Sequence, residues 1–207
     1  MQTSNKIILT DVDGVLLEWE HHFTKWMLQR SYYHQTTGTK IYPYRLLPNT
    51  QNTYEMAERF GLTKDEIRKE IREFNKSAWM YTQEPMRDSV QWVKLIHAEG
   101  WTFIPITSQT SDLPAQQLRK KRLAEIYGED VFRNYHILET GADKNDVLNE
   151  FRDTGLWWIE DKPHNVEVGL ECGLRCIIID HEYNRDFEHP DVTRVNTWRQ
   201  IHQLINK

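Results

Sequence analysis

The chain has 207 residues, 39% of them hydrophobic and 28% charged, and a net charge of −5. That is the size of one globular core with room for a modest insertion, and no apolar run approaches the ~20 residues that a membrane helix needs. The acidic balance disfavours binding to nucleic acid through general electrostatics. The opening "MQTSNKII" lacks the basic and apolar regions of a secretory signal, so a cytoplasmic protein is expected.

In chain order, "KIILT" (6–10) predicts the first strand. The rhythm then breaks. From 16 to 87 no buried strand is predicted, and helical stretches alternate with "SYYHQTTGTKIYPYRLLP", rich in aromatics and proline. One helix, "TKDEIRKEIREFNKSAW", opens with Thr63 and Glu66 at capping-box spacing. The segment 16–87 reads as a small helical cap inserted after the first strand and lying over the strand ends, leaving 1–15 and 88–207 as the core domain. An irregular extension packed on the sheet edge is the alternative.

"DSVQWVKLIHAEG" (88–100) reads as a helix stopped by Gly100, and "TFIPIT" (102–107) as a strand. "PAQQLRKKRLAEIYG" reads as a helix that Ser111 is placed to cap. "YHILE" (135–139) is a shorter strand, and "KNDVLNEFRDTG" a helix ending near Gly155. "LWWIE" (156–160) is a strand, and Pro163 suits the first turn of the helix after it. Cys172 and Cys176 are too few for a disulfide framework or a zinc site and read as buried thiols. "RCIIID" (175–180) is the last clear strand, and "TWRQIHQLINK" closes the chain as a helix. Near-continuous apolar strands alternating with helices predict a Rossmann-like, three-layer α/β/α parallel sheet. Active sites in such folds gather beyond the carboxyl ends of the strands.

Those ends carry the chemistry. Asp11 and Asp13 follow the first strand, closed by Gly14, and Thr107 and Ser108 follow the second. The loop after "YHILE" carries Lys144, and Glu160 and Asp161 follow "LWWI", with Lys162, His164 and Asn165 next. Asp11, Asp13 and Asp161 brought together would repel and drive their pKa values up. A divalent cation removes that difficulty, and carboxylate and water ligands suit Mg²⁺. A carboxylate attacks phosphorus once Mg²⁺ and an ammonium group draw off the phosphoryl charge. A second acid two residues along protonates the leaving oxygen and later takes a proton from water. The aspartate pair is therefore read as a nucleophile and its acid/base partner, with Thr107 and Lys144 holding the phosphoryl oxygens.

"IILTDVDGV" resembles the first motif of the haloacid-dehalogenase-like phosphotransferases. "FIPITS" is similar to their second motif, Lys144 to the third, and "WWIEDKPHN" to the fourth in its paired-acid form, in order across the whole sheet. The resemblance implies that Asp11 is the nucleophile and Asp13 the acid/base. It also implies Mg²⁺ held by the Asp11 side chain, the Asp13 carbonyl and Asp161. Glu160 stands where many members carry aspartate and is expected to reach the metal through water or to orient Lys144, for which Lys162 is the rival. More narrowly, "DVDGVLLEW", the "TS" pair, "IEDKPHN" and "IIIDHEYNR…RVNTWRQI" are similar to the 5'(3')-deoxyribonucleotidase branch, whose cap supplies aromatic residues to the base. That likeness implies a phosphomonoesterase forming an aspartyl phosphate from a nucleoside monophosphate, with Thr107, Ser108 and Lys144 on the substrate. A sugar phosphate, a nucleic-acid end, or phosphate binding without turnover are the alternatives.

Other features read more plainly. Trp19, Trp26, Tyr32, Tyr33, Tyr42, Tyr44, Trp79 and Tyr81 supply aromatic rings to the insertion, and each is simplest as part of its small core. "RKKR" (119–122) is expected to be solvated, because consecutive charges spread over several helix faces. His21 and His22 point apart on a helix and make a poor metal pair, and His164 is expected at a helix start. Without a GxxxxGK, GxGxxG or GxSxG motif, kinase, dehydrogenase and serine-hydrolase readings lose their main support.

Overall fold

A computed structural model describes residues 6–50 and 52–207. β1 (Ile7–Thr10) is followed by α1 (Trp19–Gln29), a short antiparallel pair β2 (Tyr32–Tyr33) and β3 (Lys40–Ile41), α2 (Met56–Phe60) and α3 (Lys64–Lys76). A 3-10 turn at Ala78–Tyr81 leads to α4 (Ser89–Ala98), β4 (Thr102–Ser108), α5 (Leu113–Tyr127), β5 (His136–Leu138) and α6 (Asn145–Asn149). β6 (Trp157–Glu160), α7 (Pro163–Glu171), β7 (Arg175–Ile179), β8 (Val192–Val195) and α8 (Trp198–Ile205) complete the chain.

The main sheet is parallel throughout, in the order β5-β4-β1-β6-β7-β8. β1 lies between β4 and β6, where the direction of winding reverses, which opens a crevice at the carboxyl ends of these strands. Neighbouring residues divide between two cores. Ile8, Phe103, Ile159 and Ile177 pack with α4, α5 and α8 on one face. Leu9, Ile104, Trp158 and Ile178 pack with α6 and α7 on the other. Helices on both faces explain why the strands read as continuous apolar runs. On the second face Gly169 of α7 lies so close to the sheet that a Cβ there would stand 2.5 Å from Trp158 Cδ1 and 2.8 Å from Cys176 Sγ. Both cysteines are buried and free, as expected.

Three boundaries differ from expectation. The last strand is β8, a short, half-polar edge strand whose pattern, Val-Thr-Arg-Val, carries too little apolar character to be read as buried. α6 ends at Asn149 rather than near Gly155: the chain goes over to i→i−3 turns, with the Glu150, Phe151 and Arg152 N–H groups donating to the Val147, Leu148 and Asn149 carbonyls, before Asp153 (φ 60°) and Gly155 (φ 62°) take left-handed conformations. α5 is capped by Asp112, whose Oδ1 accepts from the Ala115 N–H (2.9 Å), and not by Ser111.

The residues between β1 and α4 have a core of their own. Phe23 and Met27 of α1 pack with Met56 and Phe60 of α2, Ile67 and Phe74 of α3, and Met80. Trp19, Trp26, Tyr44 and Trp79 pack around it, whereas Tyr32, Tyr33 and Tyr42 are exposed. Thr63 and Glu66 form the capping box. α3 is fastened to the loop after β4 by a reciprocal pair: Asn75 Nδ2 donates to the Gln109 carbonyl (2.9 Å), and Gln109 Nε2 to the Asn75 carbonyl (3.1 Å). The segment leaves and rejoins the sheet at one place, where the Glu18 N–H donates to the Glu84 carbonyl (3.0 Å) and the Met86 N–H to the Leu16 carbonyl (2.8 Å). No helix among the described residues is long and apolar enough to cross a membrane.

Candidate active site

The end of β1 turns sharply. The Asp11 N–H still donates to the Ile159 carbonyl of β6 (2.9 Å), and the Val12 carbonyl then accepts from Leu16 (2.8 Å) and Leu17 (2.9 Å). Gly14 holds φ 77° in this turn, and a Cβ there would lie 2.5 Å from Asp161 Oδ2. Only glycine combines that conformation with so close an approach. The loops after β1 and β6 are thereby pressed together.

Between them sits a buried charge cluster. Lys144, just ahead of α6 and 3% exposed, has its Nζ 2.9 Å from Asp11 Oδ1 and 2.7 Å from Glu160 Oε2, and 5.2 Å from the Trp158 ring. Glu160 is fully enclosed and takes four hydrogen bonds: from Lys144, from Asn165 Nδ2 (3.1 Å), and from the N–H groups of Asp161 and Lys162 (3.1 Å each). Burial would raise its pKa, but the Lys144 ammonium and these donors hold it at about 2. Burial and the Glu160 charge push Asp11 and Asp161 well above the usual carboxylate range. One oxygen from each of Asp11, Glu160 and Asp161 lies within 4.8 Å of the others. The Lys144 ammonium pairs with two of these three buried carboxylates and leaves Asp161 without a cation among the described residues, and the ligand atoms on offer are all oxygen. That is a set suited to Mg²⁺.

Around the cluster, Thr107 near the end of β4 is buried, and its hydroxyl has no hydrogen-bond partner among the described residues. Ser108 donates instead to the Ala142 carbonyl (2.7 Å). Asp13 pairs with Arg119 of α5 rather than with Lys144. Lys162 lies over the Tyr54 ring (5.6 Å to the centroid) and has no contact with Asp11, and His164 is exposed on the first turn of α7.

Among solved structures the chain is similar to a protein assigned as a phosphatase from Clostridium difficile, with TM-score 0.68 and 15% identity over 99% of this chain and 100% of that one. It is similar to a haloacid-dehalogenase-like hydrolase from Streptococcus pneumoniae, with TM-score 0.64 and 14% identity over 98% and 99% of the two chains. A HAD-hydrolase from Bacillus subtilis, solved bound to magnesium, gives TM-score 0.59 and 11% identity over 97% and 98%. The fold is haloacid-dehalogenase-like. No family model matches the sequence, and no curated protein does.

In this haloacid-dehalogenase-like fold several residues at the site escaped the sequence reading. The hydroxyl of Tyr183, from the 3-10 turn after β7, donates to Asp161 Oδ2. Its neighbours anchor the same turn: Asn184 Nδ2 donates to the Asp161 carbonyl (2.7 Å), and His181 Nε2 to the Gly14 carbonyl (2.7 Å). Tyr54, from the insertion, packs edge-on against Tyr183 with ring centroids 5.0 Å apart. Burial, then the charges of Asp161, Glu160 and Asp11, push the Tyr54 hydroxyl up, although 45% of the residue is exposed. "RKKR" proves not to be all surface, because Arg119 is completely buried. Its signal was helical spacing: Ala115, Arg119 and Leu123 recur every four residues on one stripe of α5.

Proposed function

We propose that the protein is a Mg²⁺-dependent phosphomonoesterase that works through an aspartyl phosphate on Asp11. The observation that carries this reading is Lys144 clamped between Asp11 and Glu160 beside the unpartnered Thr107 hydroxyl. The cluster offers a nucleophile, a cation and a donor at one rim of the sheet. The phosphatase and hydrolase names of the structural neighbours agree with it.

Asp11 attacks phosphorus, and the bond from phosphorus to the ester oxygen breaks as Asp13 gives that oxygen a proton. Asp13 then takes a proton from water. The resulting hydroxide attacks phosphorus, the bond to Asp11 breaks, and inorganic phosphate and the free carboxylate are restored. Lys144 and Thr107 bind phosphoryl oxygens, and Glu160 orients Lys144. Ser108 shapes the same loop, with its hydroxyl donating to the Ala142 carbonyl. The Asp11 and Asp161 side chains and the Asp13 carbonyl would hold Mg²⁺, which supplies charge neutralisation for the phosphoryl group when bound.

The substrate class we favour is a nucleoside monophosphate. Support comes from Tyr54, an exposed ring with its hydroxyl end near the carboxylates and Lys162 above it. A base stacked on such a ring gains about 1–3 kcal/mol. The test is phosphate release from a panel of nucleoside monophosphates and sugar phosphates, with Mg²⁺ and with EDTA. Nucleotides should be cleaved in preference and EDTA should abolish release. Cleavage of sugar phosphates alone would overturn the nucleotide assignment, and no release from any ester would overturn the phosphatase reading.

A further inference from the structure

Arg119 lies wholly inside the protein, on the apolar stripe of α5. A buried guanidinium is stable only beside a counter-charge, and here that charge is Asp13. Nη1 is 2.6 Å from Asp13 Oδ1 and Nη2 is 3.2 Å from Oδ2, a two-pronged contact that fixes both the position and the plane of the carboxylate. Behind it, Nη2 meets Met80 Sδ at 3.4 Å, so the guanidinium is wedged between Asp13 and the 3-10 turn of the insertion. Lys144 pairs with Asp11 and Glu160, and Arg119 with Asp13. The Asp13 side chain keeps 23% of its surface open.

We propose that Arg119 is a positioning residue for Asp13, holding its carboxyl group where it meets the leaving oxygen as the acid and then water as the carboxylate base, with Met80 holding the guanidinium in place. This rests on the phosphatase reading above. Arg119 itself gives and takes no proton, since a guanidinium stays charged in proteins. It acts only through where Asp13 sits, and that makes the idea separable from a merely structural one.

The experiment is a double-mutant cycle on the Mg²⁺-loaded full chain with p-nitrophenyl phosphate, folding being checked by circular dichroism. Arg119→Lys and Arg119→Met should each lower kcat by about tenfold or more with KM nearly unchanged, because acid–base assistance contributes roughly 10²–10⁴-fold. On an Asp13→Asn background the same substitutions should change kcat by less than about twofold, since coupled residues lose their effect once the partner is gone. If neither Arg119 variant folds, Met80→Leu should give a smaller loss of kcat that likewise vanishes with Asp13→Asn. Losses that multiply on the Asp13→Asn background, a rise in KM at constant kcat, or no change at all would each overturn the proposal. Wild-type protein that releases no phosphate brings down the phosphatase reading and this inference together. An active wild type with multiplying losses brings down this inference alone.

Discussion

Lys144 donates to two carboxylates in the interior and is itself 3% exposed. Lys144→Met would leave the Glu160 carboxylate as an uncompensated buried charge, a change that costs about 3–5 kcal/mol. Thermal denaturation should therefore show Tm lowered by about 10 °C or so, and adding Glu160→Gln should recover part of the loss. Tyr183 poses a different question, because its hydroxyl touches only one oxygen of Asp161. Groups that orient a metal ligand are typically worth about 10–100-fold in affinity. Tyr183→Phe is thus expected to weaken Mg²⁺ binding by about tenfold in calorimetric titration. Unchanged affinity would mean that the bond from Asn184 to the Asp161 carbonyl suffices to hold the loop. At this scale the sequence pointed to Asp11, Thr107, Lys144, Glu160 and Asp161 because each lies at or just beyond the end of a strand or stands just ahead of the next helix. It concealed Arg119, whose periodicity was masked by three neighbouring charges, and Tyr54 and Tyr183, which meet only in three dimensions.

α7 reaches the sheet through Gly169, and the fit leaves no room for a methyl group against Trp158 and Cys176. Overpacking a filled core costs about 1–3 kcal/mol. Gly169→Ala should accordingly lower Tm by several degrees while leaving the circular dichroism spectrum unchanged. An unaltered Tm would mean that the helix can shift outward at little cost. Elements of this buried kind were the legible ones: β1, β4, β6 and β7 are apolar on both faces, and Gly100 and Pro163 mark helix ends where they were expected. β8 was missed because an edge strand shows one face to water and must look half polar. α6 was drawn too long because it gives way to i→i−3 turns after Asn149, a change that leaves no signature in composition.

The whole molecule carries the electrostatic consequence. Burial and the Glu160 charge raise the pKa values of Asp11 and Asp161, so the cation-free folded chain retains protons that the unfolded chain releases. Such groups stabilise fully below the unfolded carboxylate value, about 4, and that contribution is lost as pH rises through the raised folded values. Glu160, held at about 2, works in the opposite sense and gives up its contribution only in strong acid. Above pH 4 the first effect governs. Protein treated with EDTA should lose Tm between pH 5 and pH 8 in a fluorescence melt, and added Mg²⁺ should raise Tm more at pH 8 than at pH 5. Equal shifts at both values would argue that no cation replaces those protons.

The stem at Leu16–Glu18 and Glu84–Met86 has a consequence of another kind. Because both ends of the excursion are stitched side by side, a change of length between them leaves the direction of the β-strand that carries the aspartates unaltered. Insertions or deletions inside the excursion are in that sense absorbed at its neck rather than passed on to the sheet.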